Sequence, residues 1–287
     1  MISHRSVSGG RAQANAPTGG GMPRYATDLV EELVATVRRG SRWRDALHAA
    51  MSRAGGPGDN GTDESCANWI WLAELAGREM AVVLNGGLGY LAAGLAPHFA
   101  RVCYQDPRDP LAKFARLRFA QDGLRNISAT RARVDELPYR ATSVDCIALQ
   151  DLPAEYSLRD LAGLACHCFR ILRSGGCLYL GWHNPHYYRR LLGVGRSRTD
   201  HDVASRVGSA RRVTRMLSEI GFRAVARYYA SPSHRRLQNI VPAARHAVVA
   251  YENWERMGAP SSRLRALATR LGLWPCLYSS QLVLAYR

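Results

Sequence analysis

The chain has 287 residues, 47% of them apolar, enough to bury a full core as one large domain or as one domain with an accessory region. Its formal charge of +16 arises from 39 basic against 23 acidic residues, and Lys113 is the one lysine among them. The arginines are scattered rather than gathered into a lysine-rich tail, which argues against nucleic acid and favours a small-molecule or peptide substrate, with an anionic one suited to the charge.

Residues 1–23 are rich in Ser, Gly, Ala and Pro and read as a loose tail. From Tyr25 the pattern turns helical, with Leu29, Leu33, Val34 and Val37 recurring at three and four. A second helix holds Trp43, Leu47 and Met51, and after the turn-rich AGGPGDNGTDES a third apolar helix surrounds NWIWLAELAG. These segments, 24–77, read as an accessory region that lids a pocket or caps a sheet. Trp69 and Trp71 are two apart and do not face one core together, so one of them either lines a ligand site or packs ordinarily elsewhere.

Residues 82–95, VVLNGGLGYLAAGL, join a buried strand end (Val82, Val83, Leu84) to a helix that starts near Leu91. Between them Gly86, Gly87 and Gly89 permit positive φ and close approach to the main chain, and the helix start offers unpaired N–H groups. The turn reads as a cofactor cradle. No Gly-Lys-Ser/Thr closes it, which excludes ATP hydrolysis of the Walker type.

Strand and helix then alternate: ARVCYQD (100–106), PLAKFARLRFAQDG (110–123), a short strand in NISATRARVDELP, SVDCIALQDL (143–152), a helix through LRDLAGLACHCFRILRSGG and a strand in CLYLGWH (177–183). Such alternation implies parallel strands covered on both faces, with ligands at the carboxyl ends. Asp106 should emerge beside the glycine turn, where its carboxylate accepts from two ribose hydroxyls or else merely starts the DPRDP turn. Asp135 and Glu136 stand at the next strand end, placed to read an adenine edge. Asp151 either contacts a bound substrate or caps the following helix. His183, His186, Tyr187 and Tyr188 lie at the pocket mouth, and His183, nearest the strand end, is the first choice for a base. Arg189 and Arg190 open an arginine-rich stretch to 215 that clamps a carboxylate or phosphate, or forms a solvated face. LYSSQLVLAYR (277–287) reads as a final antiparallel strand.

The seven cysteines suit reduced core thiols and a cytoplasmic protein. Cys166-His167-Cys168 places its side chains on different sides of a helix, so no metal site is expected there or elsewhere. Neither a secretory start nor an 18-residue apolar stretch is present, so no membrane span is expected.

Taken in order, NGGLGYL (85–91), YQD (104–106), VDELPYRATSVDCIAL (134–149), RILRSGGCLYL (170–180) and MLSEIGFRAVARYYA (216–230) resemble the class I S-adenosylmethionine-dependent methyltransferase family over about residues 78–230. The resemblance implies an α/β fold, a Rossmann-like seven-stranded, mostly parallel sheet with helices on both faces, here behind an N-terminal helical extension. It implies a domain at 78–287 with an acceptor-site insert at about 184–210, a monomer or homodimer, and S-adenosylmethionine as cofactor. Asn85, Gly86, Gly87, Gly89, Asp106, Asp135 and Glu136 would bind the cofactor. His183, Asp151 and His186 would serve catalysis, and Tyr187, Tyr188, Arg189 and Arg190 the substrate. The sequence departs from the family within these motifs: Asn85 stands where Asp or Glu is usual, Leu91 replaces the last glycine, Arg133 replaces a frequent aspartate, and Ser174 stands where proline is usual. LQDLPAEYS replaces the Asp/Asn-Pro-Pro-Tyr/Phe stretch, which argues against N6-adenine methylation. O- or N-methylation of a small molecule or modified peptide in specialised metabolite biosynthesis is the expectation. A nucleic-acid methyltransferase and a non-catalytic methyltransferase-like domain are the alternatives.

Overall fold

The computed structural model describes residues 27–53, 63–152, 156–188, 207–255, 265 and 267–287. The expected tail, Arg189, Arg190 and most of the expected insert lie outside the described residues.

Two helices, α1 (Thr27–Arg38) and α2 (Trp43–Arg53), come first, and a 3-10 helix, Glu64–Leu72, follows them. On α1 the buried side chains are Val30, Leu33, Val34 and Val37, one stripe at helical spacing. This stripe packs with Trp43 against Leu88, Leu111 and Phe114. Then come β1 (Met80–Leu84), α3 (Tyr90–Leu95), β2 (Arg101–Asp106), α4 (Asp109–Gln121), β3 (Ile127–Arg131), β4 (Val144–Leu149), α5 (Leu158–Ile171) and β5 (Leu172–His183). The last part holds α6 (Ala210–Ile220), β6 (Arg223–Ser233), β7 (Arg236–Pro242), α7 (Arg245–Glu255) and β8 (Ser280–Tyr286).

The strands form one eight-stranded sheet in the order β3-β2-β1-β4-β5-β8-β6-β7. The pairs from β3 to β5 are parallel, and β8 runs antiparallel to both β5 and β6. The sheet has one strand more than expected, because the chain turns back after β6 and adds β7 antiparallel to it. The C-terminal strand β8 lies between β5 and β6. On β1, Ala81 and Val83 enter the core beneath the 3-10 helix, α3 and α4, while Val82 and Leu84 enter the core beneath α5 and α6. This alternation with both faces apolar is what a doubly covered sheet requires.

Three local details bear on the site. Helix α5 is started by Ser157, whose side chain accepts from the Asp160 N–H while the Asp160 carboxylate accepts from the Ser157 N–H. Strand β5 begins at Leu172, earlier than expected, because RSGG bulges between paired segments instead of only ending the helix. Trp69 is fully buried and stacks on Tyr179 at 4.1 Å, whereas Trp71 is 73% exposed, edge-on to His98. Neither tryptophan therefore lines a pocket described here.

Candidate active site

At the end of β1 the chain turns through Asn85 (φ 53°), Gly87 (φ 55°) and Gly89 (φ 84°) into α3. Gly86 and Gly89 owe their identity first to packing: a Cβ on Gly86 would lie 2.3 Å from the Tyr104 ring, and one on Gly89 2.8 Å from Phe119. The turn is tied to the neighbouring strand end, since the Gly87 N–H donates to Asp106 Oδ2 at 2.9 Å and the Tyr104 hydroxyl donates to the Gly87 carbonyl at 2.5 Å. Asp106, fully buried, thus stands where the sequence placed it.

Its carboxylate already has a partner. Arg108 donates from Nε to Asp106 Oδ1 and from Nη2 to Oδ2, both at 2.9 Å, and its Nη2 also reaches Asn85 Oδ1 at 3.3 Å. Burial alone would lower the Arg108 pKa, but the bond and charge of Asp106 hold it above the ordinary value. Gln105, one residue earlier, donates from Nε2 to the Tyr139 hydroxyl at 3.0 Å, while its buried Oε1 has no hydrogen-bond partner among the described residues. A buried acceptor beside the 134–139 loop and a carboxylate beside the glycine turn fit an adenosine group, an amine at one end and a diol at the other. That fit requires Arg108 to leave Asp106. Asp135 and Glu136 are exposed and engaged locally: Arg133 pairs with Asp135 at 2.9 Å, and its backbone N–H donates to Glu136.

Further along the sheet the carboxyl ends of β4, β5 and β6 converge. The Asn85 side-chain amide donates to the Asp151 carbonyl at 3.1 Å, which links the glycine turn to this cluster. Asp151 does not cap α5, a task that Ser157 performs; its carboxylate meets His234 Nε2 at 2.8 Å and Arg235 Nη2 at 2.8 Å. On the other side of the ring, His234 Nδ1 lies 2.9 Å from Ser280 Oγ. His183 packs edge-on against His234 with centroids 4.6 Å apart. Burial pushes His234 down to about 4, against the opposing pull of Asp151. Burial also acts to raise Asp151, but the charges of Arg235 and His234 prevail and hold it well below the usual carboxylate range.

Beyond β5, Asn184 fixes the loop that carries the tyrosines. Its Nδ2 donates to the carbonyls of Pro275 and Tyr278 at 2.6 and 2.8 Å, and its Oδ1 accepts from Gln281 and from the His186 N–H. Tyr187 and Tyr188 then line a cavity of about 210 Å³ together with Tyr251, Tyr278, Arg265 and Ser279. Arg265 is neutralised by Glu252 at 2.6 Å, and Glu252 also accepts from the Tyr278 hydroxyl. The His186 side chain is exposed.

The structure therefore gathers Asn85, Gly87 and Asp106 in one place, Asp151 and His183 in a second, and Tyr187 and Tyr188 in a third. Sequence reasoning missed Arg108, His234, Arg235 and Ser280. The signal for His234 was present in SPSHRRLQNIV, a polar turn between two alternating runs that makes a hairpin. Nothing in the spacing shows that its histidine reaches Asp151.

Residues 83–176 match the family described as a methyltransferase domain. No curated protein matches the chain in sequence. Among solved structures, phosphoethanolamine N-methyltransferase 2 of Haemonchus contortus is 11% identical, with 89% of this chain covering 60% of that one at a TM-score of 0.53. A Thermotoga maritima S-adenosylmethionine-dependent methyltransferase, described as a possible histamine N-methyltransferase, is 13% identical, with 91% of this chain covering 99% of that one at a TM-score of 0.52. At these identities the likeness is one of fold.

Proposed function

We propose that this chain, a class I methyltransferase by its fold and by the family of residues 83–176, transfers a methyl group from S-adenosylmethionine to a small molecule. The observation that carries the reading is the glycine turn after β1, bound through the Gly87 N–H to a buried acid at the tip of β2. S-adenosylmethionine, when bound, supplies a methyl carbon made electrophilic by its sulfonium. Asn85, Gly86, Gly87 and Gly89 would cradle it, Asp106 would accept from its ribose, and Gln105 Oε1 would accept from its adenine amine. Its methionine end would then face the Asn85–Asp151 link, beside the histidine pair.

The acceptor enters from the tyrosine cavity. Ser279 lines that cavity and the next residue, Ser280, holds His234, so cavity and polar cluster share a wall. Tyrosine rings suit a planar or partly apolar molecule of metabolite size. Within the Asp151–His183–His234 cluster, His183, the most exposed of the three, takes up the proton that an acceptor hydroxyl or amine loses. The two solved neighbours bear names of enzymes that methylate small amines, which supports a small acceptor over a macromolecule.

Calorimetric titration with S-adenosylmethionine and S-adenosylhomocysteine tests this reading. Micromolar binding that collapses in Asp106→Ala is expected. Folded wild-type protein that binds neither compound would refute it.

A further inference from the structure

The polar cluster at the ends of β4, β5 and β6 contains more than a proton acceptor requires. One ligand atom each from Asp151, His183 and His234 lie within 4.8 Å of one another. Two imidazoles and one carboxylate are the donor set that divalent first-row transition metals favour, and it is too poor in oxygen for calcium or magnesium. We propose that Asp151, His183 and His234 form a binding site for a divalent transition-metal ion, with zinc the best match.

The geometry around the donors supports this. Two ligands of a tetrahedral ion at about 2.1 Å stand roughly 3.4 Å apart; Asp151 Oδ1 and His234 Nε2, hydrogen-bonded at 2.8 Å, need to part only slightly to admit one. His234 is held from behind by Ser280, 2.9 Å from its other ring nitrogen, the outer-shell contact that orients a metal-ligating imidazole. Asp151 is likewise fixed by Arg235, which bonds both carboxylate oxygens through Nε at 3.0 and 3.1 Å. Without metal, the His234 Nε2–H donates to Asp151 and Nδ1 accepts from the Ser280 hydroxyl. On binding, the ring keeps one proton but carries it on Nδ1, donating to Ser280 Oγ and freeing the Nε2 lone pair for the ion. The positive charge of Arg235 weakens Asp151 as a donor, so the site binds in the micromolar range rather than as a structural zinc centre. The third donor, His183, sits at the end of β5 and is half-buried, and three protein donors leave a fourth position for water or an acceptor.

The ion's site rests on these three side chains alone; its use rests on the reading above. An acceptor hydroxyl on such an ion would ionise at a lower pH and release its proton to water, because the ion would occupy the lone pairs of the cluster that otherwise take it up.

The test is visible absorption of chelator-treated full-length protein titrated with Co²⁺, followed by competition with Zn²⁺. One equivalent of Co²⁺ should give ligand-field bands that Zn²⁺ erases. His183→Ala and His234→Ala should abolish the bands, and Ser280→Ala should weaken binding by about tenfold. Circular dichroism of each variant identifies any that fail to fold, and His183→Ala, half-buried, keeps the test alive if His234→Ala is one of them. Absence of the bands from wild-type protein overturns the site, as does their loss in His167→Ala with persistence in His183→Ala. Since the titration uses no S-adenosylmethionine, a failure of cofactor binding leaves its result intact.

Discussion

On the proposed reading, Arg108 is the residue on which cofactor binding turns. Its guanidinium covers both oxygens of the carboxylate that a ribose would need, and it also holds Asn85, so the cofactor must displace a charge-assisted pair. Such bonds contribute about 1.5–3 kcal/mol each, enough to weaken binding by roughly tenfold or more. Arg108→Gln should therefore bind S-adenosylmethionine about tenfold more tightly in calorimetry. The same change leaves the buried Asp106 charge without its cation, so the free variant should melt below wild type. Saturating cofactor should then raise the melting temperature of the variant more than that of wild type. Equal affinities would show that Arg108 does not compete with the ribose. Asn85, where an acid is usual in the family the sequence resembles, makes sense in this setting: its amide can both accept from Arg108 and donate to the Asp151 carbonyl, which a carboxylate could not do.

At the scale of elements, a single buried arginine joins the accessory helices to the glycine turn. Arg118 on α4 donates to the Leu88 carbonyl at 2.8 Å and to Glu64 of the 3-10 helix at 2.7 Å, and its guanidinium lies 4.2 Å from the Trp43 ring and 4.0 Å from that of Tyr90. Arg118→Met should cost about 3 kcal/mol, read as a lower urea midpoint with an unchanged slope. It should also weaken cofactor binding, because Leu88 belongs to the turn. A cap without functional coupling would lose the stability alone. This linkage also shows what the sequence makes legible. Apolar periodicity marks α1, α4, α5 and the parallel strands, because helix and strand repeats are local properties. Asp106 is found because a strand tip has a fixed neighbour. The β7 strand and the position of β8 depend on which distant edges pair, and the Asp151–His234 contact closes across 83 residues. Arg108 and Arg118 look like ordinary members of an arginine-rich composition until the fold shows which guanidinium is buried.

Across the whole molecule, stability should depend on acid through the His234 cluster. His234 titrates near 4 when folded and near 6.5 when free, so between those values the unfolded chain binds a proton that the folded chain refuses. Stability therefore falls as pH drops from about 6.5 to about 4, by on the order of 3 kcal/mol, and this contribution levels off below. Asp151 acts at the lower end: its folded pKa is depressed, so its stabilisation is present above the free carboxylate's value and is lost as pH falls through the folded one. Both effects favour neutral pH. Urea denaturation of chelator-treated protein at pH 7, 5.5 and 4.5 checks this, with His234→Gln alongside. The amide can still donate to Asp151 but does not titrate, so the variant should lose the part of the slope between pH 6.5 and 4 while other carboxylates and histidines contribute equally to both proteins. Parallel slopes would mean that His234 takes up its proton in the folded state as easily as in water, and that burial does not govern the cluster. If instead the slopes diverge and added Zn²⁺ steepens the wild-type dependence alone, proton and metal ion compete for the same ring nitrogen, as the geometry of Asp151, His183 and His234 requires.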